Sequence, residues 1–206
     1  MECPIQISYG ISATPKQGDT QNGDQYLIKK QQDSILIATI DGLGHGQYAF
    51  ESAKRAVDFI DTYPDGAPLD DLIRLCHDEL KNTHGVVLML AQIEKNHRVT
   101  WAGVGNIIGM VYKKKSHEYL RNEIFLTQAG IVGSNLPALK ISYTTANPGD
   151  LLIFATDGID QDFLTDEFNI KDLPQKISDQ IFKKYRNPND DALVLVCHWD
   201  DIDKGV

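Results

Sequence analysis

Residues 34–46 read SILIATIDGLGHG, and this stretch gives the strongest indication of the fold. Apart from its first serine, the segment 34–40 is apolar or β-branched, which is typical of a strand in a sheet. Three glycines follow between Asp41 and Gly46. Glycine permits positive φ angles and close approach of the backbone to a ligand. Because helical periodicity begins at Gln47, the stretch predicts a strand, a tight loop and a helix, with Asp41 where the strand ends.

Two helices are predicted directly after this loop. Over residues 47–62, apolar and small side chains recur every three or four positions, as on one face of an amphipathic helix. A second helix is predicted over residues 68–82, because Pro68 is a start signal and Asp70 and Asp71 lie in the first turn, where the helix dipole favours them. A short helix after Gly158 and a longer one over 173–185 complete this set.

Short apolar and β-branched segments predict the strands, which are expected over residues 5–12, 25–30, 34–40, 86–93, 98–104, 107–113, 118–126, 141–145, 151–155 and 192–198. The four consecutive strands between 86 and 126 are interpreted as an antiparallel meander. Strands and helices do not alternate along the chain, which disfavours a doubly wound parallel sheet. The order predicts an α+β fold in which two antiparallel sheets pack face to face with helices outside.

Composition and charge exclude several classes of protein. The 206 residues are 42% hydrophobic and 24% charged, as expected for one globular domain spanning 1–206. A net charge of −9 disfavours a nucleic-acid partner, because affinity for phosphate backbones comes from clustered Lys and Arg. Apolar runs are too short to span a membrane and no signal peptide is recognisable, so a cytoplasmic location is expected. Three widely spaced cysteines disfavour a disulfide framework or a zinc knuckle.

Further acidic residues lie at predicted strand ends. The pair Asp157-Gly158 ends an apolar strand in the same way as the pair at 41–42, and Asp190 and Asp191 directly precede the last strand. Asp24 lies at the start of the second strand. Taken alone, Asp41 is explained equally well as a turn former or a helix cap. The alternative for Asp157 is a polar strand cap, and for Asp24 a simple turn is a strong explanation. Together, however, they place carboxylates where strand ends can converge on a shared cation.

The type of ligand then limits the type of metal. Carboxylate and carbonyl oxygens suit Mg²⁺ or Mn²⁺, whereas zinc prefers nitrogen and sulfur. The six histidines show no zinc-binding spacing. Oxygen ligation by divalent cations is therefore the favoured interpretation.

Five blocks in a fixed order point to one family. They are Gly23-Asp24, the loop 41–46, the sequence GVGN at 103–106, the segment from PGD at 148–150 to TDG at 156–158, and Asp190-Asp191. With these blocks the chain resembles the PPM, or type 2C, metal-dependent serine/threonine protein phosphatases, and within them the bacterial SpoIIE/RsbX branch. The resemblance implies a four-layer αββα sandwich with two divalent cations, Mn²⁺ or Mg²⁺, in a cleft at one edge, where they activate water for attack on phosphate.

The resemblance also implies roles for individual residues. Asp41 would bridge both cations, with Asp24 and the carbonyl oxygen of Gly42 near one of them. Asp157 and Asp190 would hold the other. Asp41 and Asp157 are thus the residues expected to be essential for hydrolysis.

The sequence departs from the family pattern at several positions. Asp191 lies where the family usually has Asn, which implies a supporting role at most. Asn106 replaces an aspartate that can hold a third metal, so a third site is expected to be weak or absent. Leu43 replaces a histidine thought to protonate the leaving group, and for the nearby His45 a role in the loop is favoured over general acid. No arginine precedes the first motif, and Lys16 is interpreted as a flexible surface lysine rather than its substitute.

The short chain length further suggests the kind of substrate. Compact members of the SpoIIE/RsbX branch act on STAS-domain regulators in bacterial stress signalling, which implies a phosphorylated STAS-domain protein as partner. Two alternatives stay open. The first is the same chemistry on another phosphoprotein or a small phosphate ester, and the second is a phosphoprotein-binding module without catalysis.

Overall fold

The computed structural model describes residues 5–113 and 122–200. Its strands and helices follow in the order β1 (Gln6–Thr14), β2 (Asp24–Lys30), β3 (Ser34–Gly42), α1 (Gly46–Thr62), α2 (Leu69–Glu79), β4 (Val86–Glu94), β5 (Arg98–Val104), β6 (Ile108–Tyr112), β7 (Glu123–Phe125), β8 (Ser142–Thr145), β9 (Leu151–Ala155), a 3₁₀ helix (Gln161–Thr165), α3 (Pro174–Tyr185) and β10 (Ala192–Asp200).

The strands of the described residues form two five-stranded antiparallel sheets. The first sheet has the order β1-β10-β9-β6-β7 and the second the order β2-β3-β4-β5-β8. Helix α3 packs on β1 and β10 of the first sheet, while α1 covers β2 and β3 of the second and α2 packs beside α1. The predicted α+β fold, a four-layer αββα sandwich, is therefore confirmed.

The central strand β3 shows why this sequence forms a buried layer. Ile35 and Ile37 point into the core between the two sheets, whereas Leu36, Ala38 and Ile40 point into the core beneath α1 and α2. Alternate side chains of a strand point to opposite faces, so an uninterrupted apolar run fits a strand that is covered on both sides. Strand β9 does the same in the first sheet, where it separates the inter-sheet core from the core under α3.

The predicted meander is wrong. Strands β4 and β5 pair in the second sheet, and β6 and β7 pair in the first, so the chain crosses from one sheet to the other between β5 and β6. The crossing runs through Gly105, whose φ of +105° favours glycine. Strand periodicity alone does not reveal a change of sheet, because each strand is apolar in either layer.

Most predicted elements agree with the structure to within a few residues. The predicted helix 68–82 ends earlier, at Glu79, and the short helix after Gly158 is a 3₁₀ helix. Of the predicted strand 118–126, only Glu123–Phe125 is observed, and its residues 118–121 lie outside the described residues. Within the described ranges, no helix is long and apolar enough to cross a membrane.

Candidate metal centre and active-site cleft

Two aspartates of the second sheet lie directly opposite each other. Asp24 of β2 and Asp41 of β3 are register partners in the antiparallel ladder. Side chains at opposed positions project from the same face, with Cβ atoms about 5 Å apart. Asp24 is only 3% exposed and Asp41 is half-buried. Like charges so placed destabilise the pair unless a proton or a cation intervenes.

The electrostatics of this pair reflect burial and crowding. Burial, followed by the negative charges of Asp24, Asp157, Asp190 and Asp191, raises the pKa of Asp41 to about 9. The pKa of Asp24 is raised to about 8, mainly by burial and also by the charges of neighbouring aspartates, although the hydrogen bond from Thr156 acts in the opposite direction. These shifts show that the ionised forms are unfavourable together in the absence of a nearby positive charge.

A cleft of about 590 Å³ opens beside Asp41. Its polar side is formed by Asp41, Asn106, Asp157 and Asp190. Its other side is formed by glycines and apolar residues, which are Leu43, Gly44, Val87, Gly105, Ala129, Gly130 and Ile131. The structure thus brings aspartates from three distant parts of the chain to one cleft, with Asp24 buried behind Asp41.

Asp157 lies two residues after the end of β9, where it lines the cleft and is exposed. Its Oδ2 atom accepts a hydrogen bond of 2.8 Å from Nδ2 of Asn106, so both residues singled out in the sequence meet here. The turn after Asp157 is fixed by close packing, because a Cβ atom on Gly158 would lie 1.9 Å from the carbonyl oxygen of Asp191. Glycine is therefore required in this Asp-Gly pair by the neighbouring backbone.

Asp190 and Asp191 have different surroundings. Asp190 lines the cleft, and burial followed by the charge of Asp157 raises its pKa, while Lys16 acts in the opposite direction. Asp191 is buried, and its carboxylate accepts hydrogen bonds from the backbone N–H groups of Lys16 at 2.8 Å and Gly23 at 3.0 Å. Its carboxylate thus ties the segment before β2 to the start of β10.

The glycine-rich loop brings Gly42 next to helix α1. A Cβ atom on Gly42 would lie 2.0 Å from the carbonyl oxygen of Ala49. His45 is the N-cap residue of α1, but its side chain makes no capping hydrogen bond. Its Nδ1 instead lies 2.7 Å from Oδ2 of Asp19, and His45 is not among the residues that line the cleft. The His45 ring therefore contacts Asp19, which precedes β2, and not the aspartates of the cleft.

Sequence reasoning missed Thr156 and one wall of the cleft. Thr156 is fully buried and donates its hydroxyl to Asp24. The only indication in the sequence was its position, as a polar residue between an apolar strand and Asp157. The segment 128–136 supplies Ala129, Gly130 and Ile131 to the cleft. No charged or metal-binding residue type marks it in the sequence.

The described side chains fit an oxygen-ligated divalent cation only with additional ligands. In residues 5–113 and 122–200, no group of three or more His, Cys, Asp or Glu side chains could by itself hold a metal ion. Yet no group in these ranges donates a hydrogen bond to the Asp41 carboxylate, which leaves its oxygens free as acceptors. Mg²⁺ keeps several waters and takes one or two protein carboxylates, and this donor set suits that mode of binding.

Comparison with known proteins then identifies the family. The family model described as stage II sporulation protein E (SpoIIE) matches residues 31–200. The chain belongs to the SpoIIE family. Among its relatives is the phosphoserine phosphatase RsbX of Bacillus subtilis (strain 168), which is 23% identical over 182 residues that cover 88% of each chain.

Solved structures similar to this SpoIIE-family chain share its fold. One similar chain has a TM-score of 0.84 and 28% identity, and the match covers 94% of this chain and 100% of the other. It comes from a structure described as the bacterial stressosome, a modular system adapted to control secondary messenger signalling. RsbX in complex with magnesium has a TM-score of 0.80 and 21% identity, with coverages of 95% and 100%. The PP2C phosphatase domain of SpoIIE from Bacillus subtilis has a TM-score of 0.77 and 18% identity, with coverages of 95% and 64%. This member of the SpoIIE family is accordingly a phosphoprotein phosphatase with the PP2C fold.

Proposed function

We propose that this phosphatase removes phosphate from phosphoserine or phosphothreonine on a STAS-domain regulator of bacterial stress signalling, with two divalent cations, Mn²⁺ or Mg²⁺, as cofactors. The observation that carries the proposal is the cleft in which Asp41, Asp157 and Asp190 face one another, with Asp24 opposite Asp41 in the ladder. Carboxylates crowded together in this way repel one another unless a proton or a cation intervenes, and metal binding is a physical reason to retain them.

The proposed ligands fall into two sets that share Asp41. Asp24 and the carbonyl oxygen of Gly42 belong to the first set, and Asp157 and Asp190 to the second. Backbone oxygen and water would complete both coordination shells, since no three described acidic, His or Cys side chains suffice for one ion. Asp191 supports the centre indirectly, because its carboxylate holds the backbone of Gly23 beside Asp24.

The groups at the cleft have different roles in the proposed reaction. When bound, the two cations would supply Lewis acidity, which activates water and neutralises the charge of the phosphoryl group in an in-line displacement. Asn106 donates to Oδ2 of Asp157 and so directs the remaining lone pairs of that carboxylate. The glycines on the opposite side leave room for the substrate. No covalent phosphoenzyme is required in this mechanism.

Two observations support a stress-signalling substrate. The relative RsbX is described as a phosphoserine phosphatase, and this chain matches it over 88% of both lengths. A second similar chain, 28% identical, comes from a structure described as the bacterial stressosome. Together with the family resemblance of the sequence blocks, these relatives support our proposal of a phosphorylated STAS-domain partner. A cytoplasmic location, a single domain over 1–206 and the absence of a nucleic-acid partner, in keeping with the net charge of −9, belong to the same proposal.

The alternatives make different predictions for two simple substrates. We expect the purified chain with Mn²⁺ to hydrolyse p-nitrophenyl phosphate slowly and to release phosphate much faster from phosphorylated STAS-domain proteins. Hydrolysis of p-nitrophenyl phosphate without release from any STAS protein would favour another phosphoprotein or a small ester as substrate. Binding of the phosphorylated protein without hydrolysis of either substrate would favour a non-catalytic module and would overturn the proposal.

A further inference from the structure

The wall of the cleft opposite the aspartates belongs to residues 128–136, here termed the wall segment. Ala129, Gly130 and Ile131 of this segment line the cleft, while Val132 is fully buried in the core beneath α1 and α2. The wall segment therefore has one side on the substrate cleft and the other on the helical layer. Anything that positions it on the helical side also sets the shape of the cleft.

Backbone hydrogen bonds attach the wall segment to the second sheet. Val132 and Val86 exchange two hydrogen bonds of 2.9 Å, and Gln128 is bonded to the backbone of Gly103 and Gly105. Both attachments precede Gly133. The part of the wall segment that begins at Gly133 is therefore held by a different contact.

That contact is a hydrogen bond from the backbone N–H of Gly133 to Nδ1 of His77, at 2.9 Å. His77 lies in the last turn of α2 and is half-buried. In this hydrogen bond Nδ1 of His77 is the acceptor and therefore carries no proton itself. In the described residues this is the only side-chain hydrogen bond between α2 and the wall segment.

The packing around this hydrogen bond leaves little freedom. Gly133 has a φ of +99°, and a Cβ atom on it would lie 2.9 Å from both Cβ and the carbonyl oxygen of Leu80. On the preceding side, a Cβ atom on Gly85 would lie 2.7 Å from Cγ2 of Ile131. Gly85 in turn accepts a hydrogen bond from the backbone N–H of Leu43, another cleft residue. The end of α2, the turn at Gly85 and the wall of the cleft are thus in direct contact.

We infer that His77 is a positioning residue for substrate binding, which holds the wall segment against α2 through Gly133 and thereby places Ala129 and Ile131 in the cleft. This inference rests on the proposed function, because it assigns the wall to recognition of the phosphorylated substrate. His77 touches neither the aspartates nor the cleft, so it acts only through the wall segment. Binding of an extended substrate depends on it, whereas the chemistry at the aspartates does not.

Two substitutions separate this role from a general contribution to helix stability. His77→Leu keeps a side chain of considerable size at this half-buried position but removes the acceptor. His77→Asn retains one, because Oδ1 of Asn is separated from Cβ by the same number of bonds as Nδ1 of His. Leucine is the better helix former of the two. A purely structural role therefore predicts that the Leu variant is the milder change, and positioning by the hydrogen bond predicts the opposite.

The experiment measures hydrogen exchange and kinetics on the full chain with Mn²⁺. In His77→Leu we expect amide exchange across residues 129–136 and the KM for a phosphoserine peptide each to rise about fivefold, as for loss of one hydrogen bond. The kcat for that peptide and the hydrolysis of p-nitrophenyl phosphate should stay unchanged, and His77→Asn should restore exchange and KM. Wild-type exchange in the Leu variant, or an Asn variant as impaired as Leu, would overturn the inference. Absence of activity in the wild type would refute the proposed function instead, while the exchange data would still decide the role of His77.

Discussion

Thr156 and Asp24 join the two sheets through a buried hydrogen bond. The hydroxyl of Thr156, just after β9 of the first sheet, donates to Oδ2 of Asp24 in β2 of the second at 2.6 Å. The same hydroxyl accepts from the backbone N–H of Leu193 at 2.9 Å. One side chain therefore orients a proposed metal ligand and fixes the distance between the layers at the cleft.

Replacement of Thr156 tests this relationship. Thr156→Val keeps the shape but leaves Asp24 and the N–H of Leu193 without their partner, which should lower the free energy of unfolding by about 1–3 kcal/mol. Mn²⁺ affinity should fall as well, because Asp24 loses its orientation. Thr156→Ser retains the hydroxyl and serves as the matched control. Urea denaturation and calorimetric titration with Mn²⁺ measure the two effects, and a Val variant as stable as Ser would contradict them.

Asp41 is predicted to be essential for turnover but unfavourable for stability without metal. Asp41→Asn should reduce kcat by about 100-fold or more, because a ligand charge is lost from the metal centre. It should also raise the melting temperature of the metal-free protein, since folding no longer requires this buried carboxyl either to take up a proton or to stay ionised among other aspartates. Asp61→Asn, at an exposed position of α1, is the control for loss of one carboxylate. Wild-type hydrolysis by Asp41→Asn would show that the ligand assignment is wrong. Asp157→Asn is likewise expected to reduce kcat by about 100-fold or more.

The raised pKa values of Asp24 and Asp41 predict a pH dependence of stability. In the unfolded chain these carboxyls ionise near pH 4, whereas in the folded protein their pKa values are about 8 and 9. The folded state therefore binds more protons, and their stabilising contribution, complete below about pH 4, is lost as the pH rises through the folded pKa values.

Thermal unfolding checks this sign. Without metal, the melting temperature should fall as the pH is raised from about 6 to about 9, a range that lies between the unfolded pKa values and the highest folded one. Mn²⁺ should reduce the fall, because a cation stabilises the ionised carboxylates. A variant with both Asp24→Asn and Asp41→Asn should show a flatter profile. A melting temperature that rises with pH in the metal-free wild type would disprove the raised pKa values.

The glycine-rich loop provides a matched pair of substitutions. Gly42→Ala places Cβ 2.0 Å from the backbone oxygen of Ala49, so α1 must move, and the cost should be at least about 3 kcal/mol. Gly44 has a φ of +93° but open space around it, so Gly44→Ala should cost only about 1–2 kcal/mol of backbone strain. Urea denaturation compares the two. Equal costs would indicate that α1 is not held against Gly42.

Much of the fold could be predicted because its strands and helices have distinct periodicities. The uninterrupted apolar segments of β3 and β9 indicated buried strands, and both are covered on two faces. The change of sheet between β5 and β6 could not be predicted. Both strands are apolar in either position, and the choice depends on which neighbours they pair with.

In the candidate site, too, some residues could be predicted from the sequence and others could not. The Asp-Gly pairs marked Asp41 and Asp157 because a carboxylate after an apolar strand is unusual enough to notice. The role of Thr156 was overlooked because its place before Asp157 does not reveal that its hydroxyl reaches Asp24 in the other sheet. The His77 contact with Gly133 was equally invisible, since it joins residues 56 positions apart through one backbone group.

By itself, the sequence determined which residue types stand at the strand ends, because hydrophobic periodicity and the position of glycine are local properties of the chain. Only the tertiary structure decided that Asp24 faces Asp41, that Asn106 meets Asp157 and that the wall segment closes the opposite side. Those relationships arise from strand register and from the packing of two sheets, which depend on contacts between residues far apart in the chain.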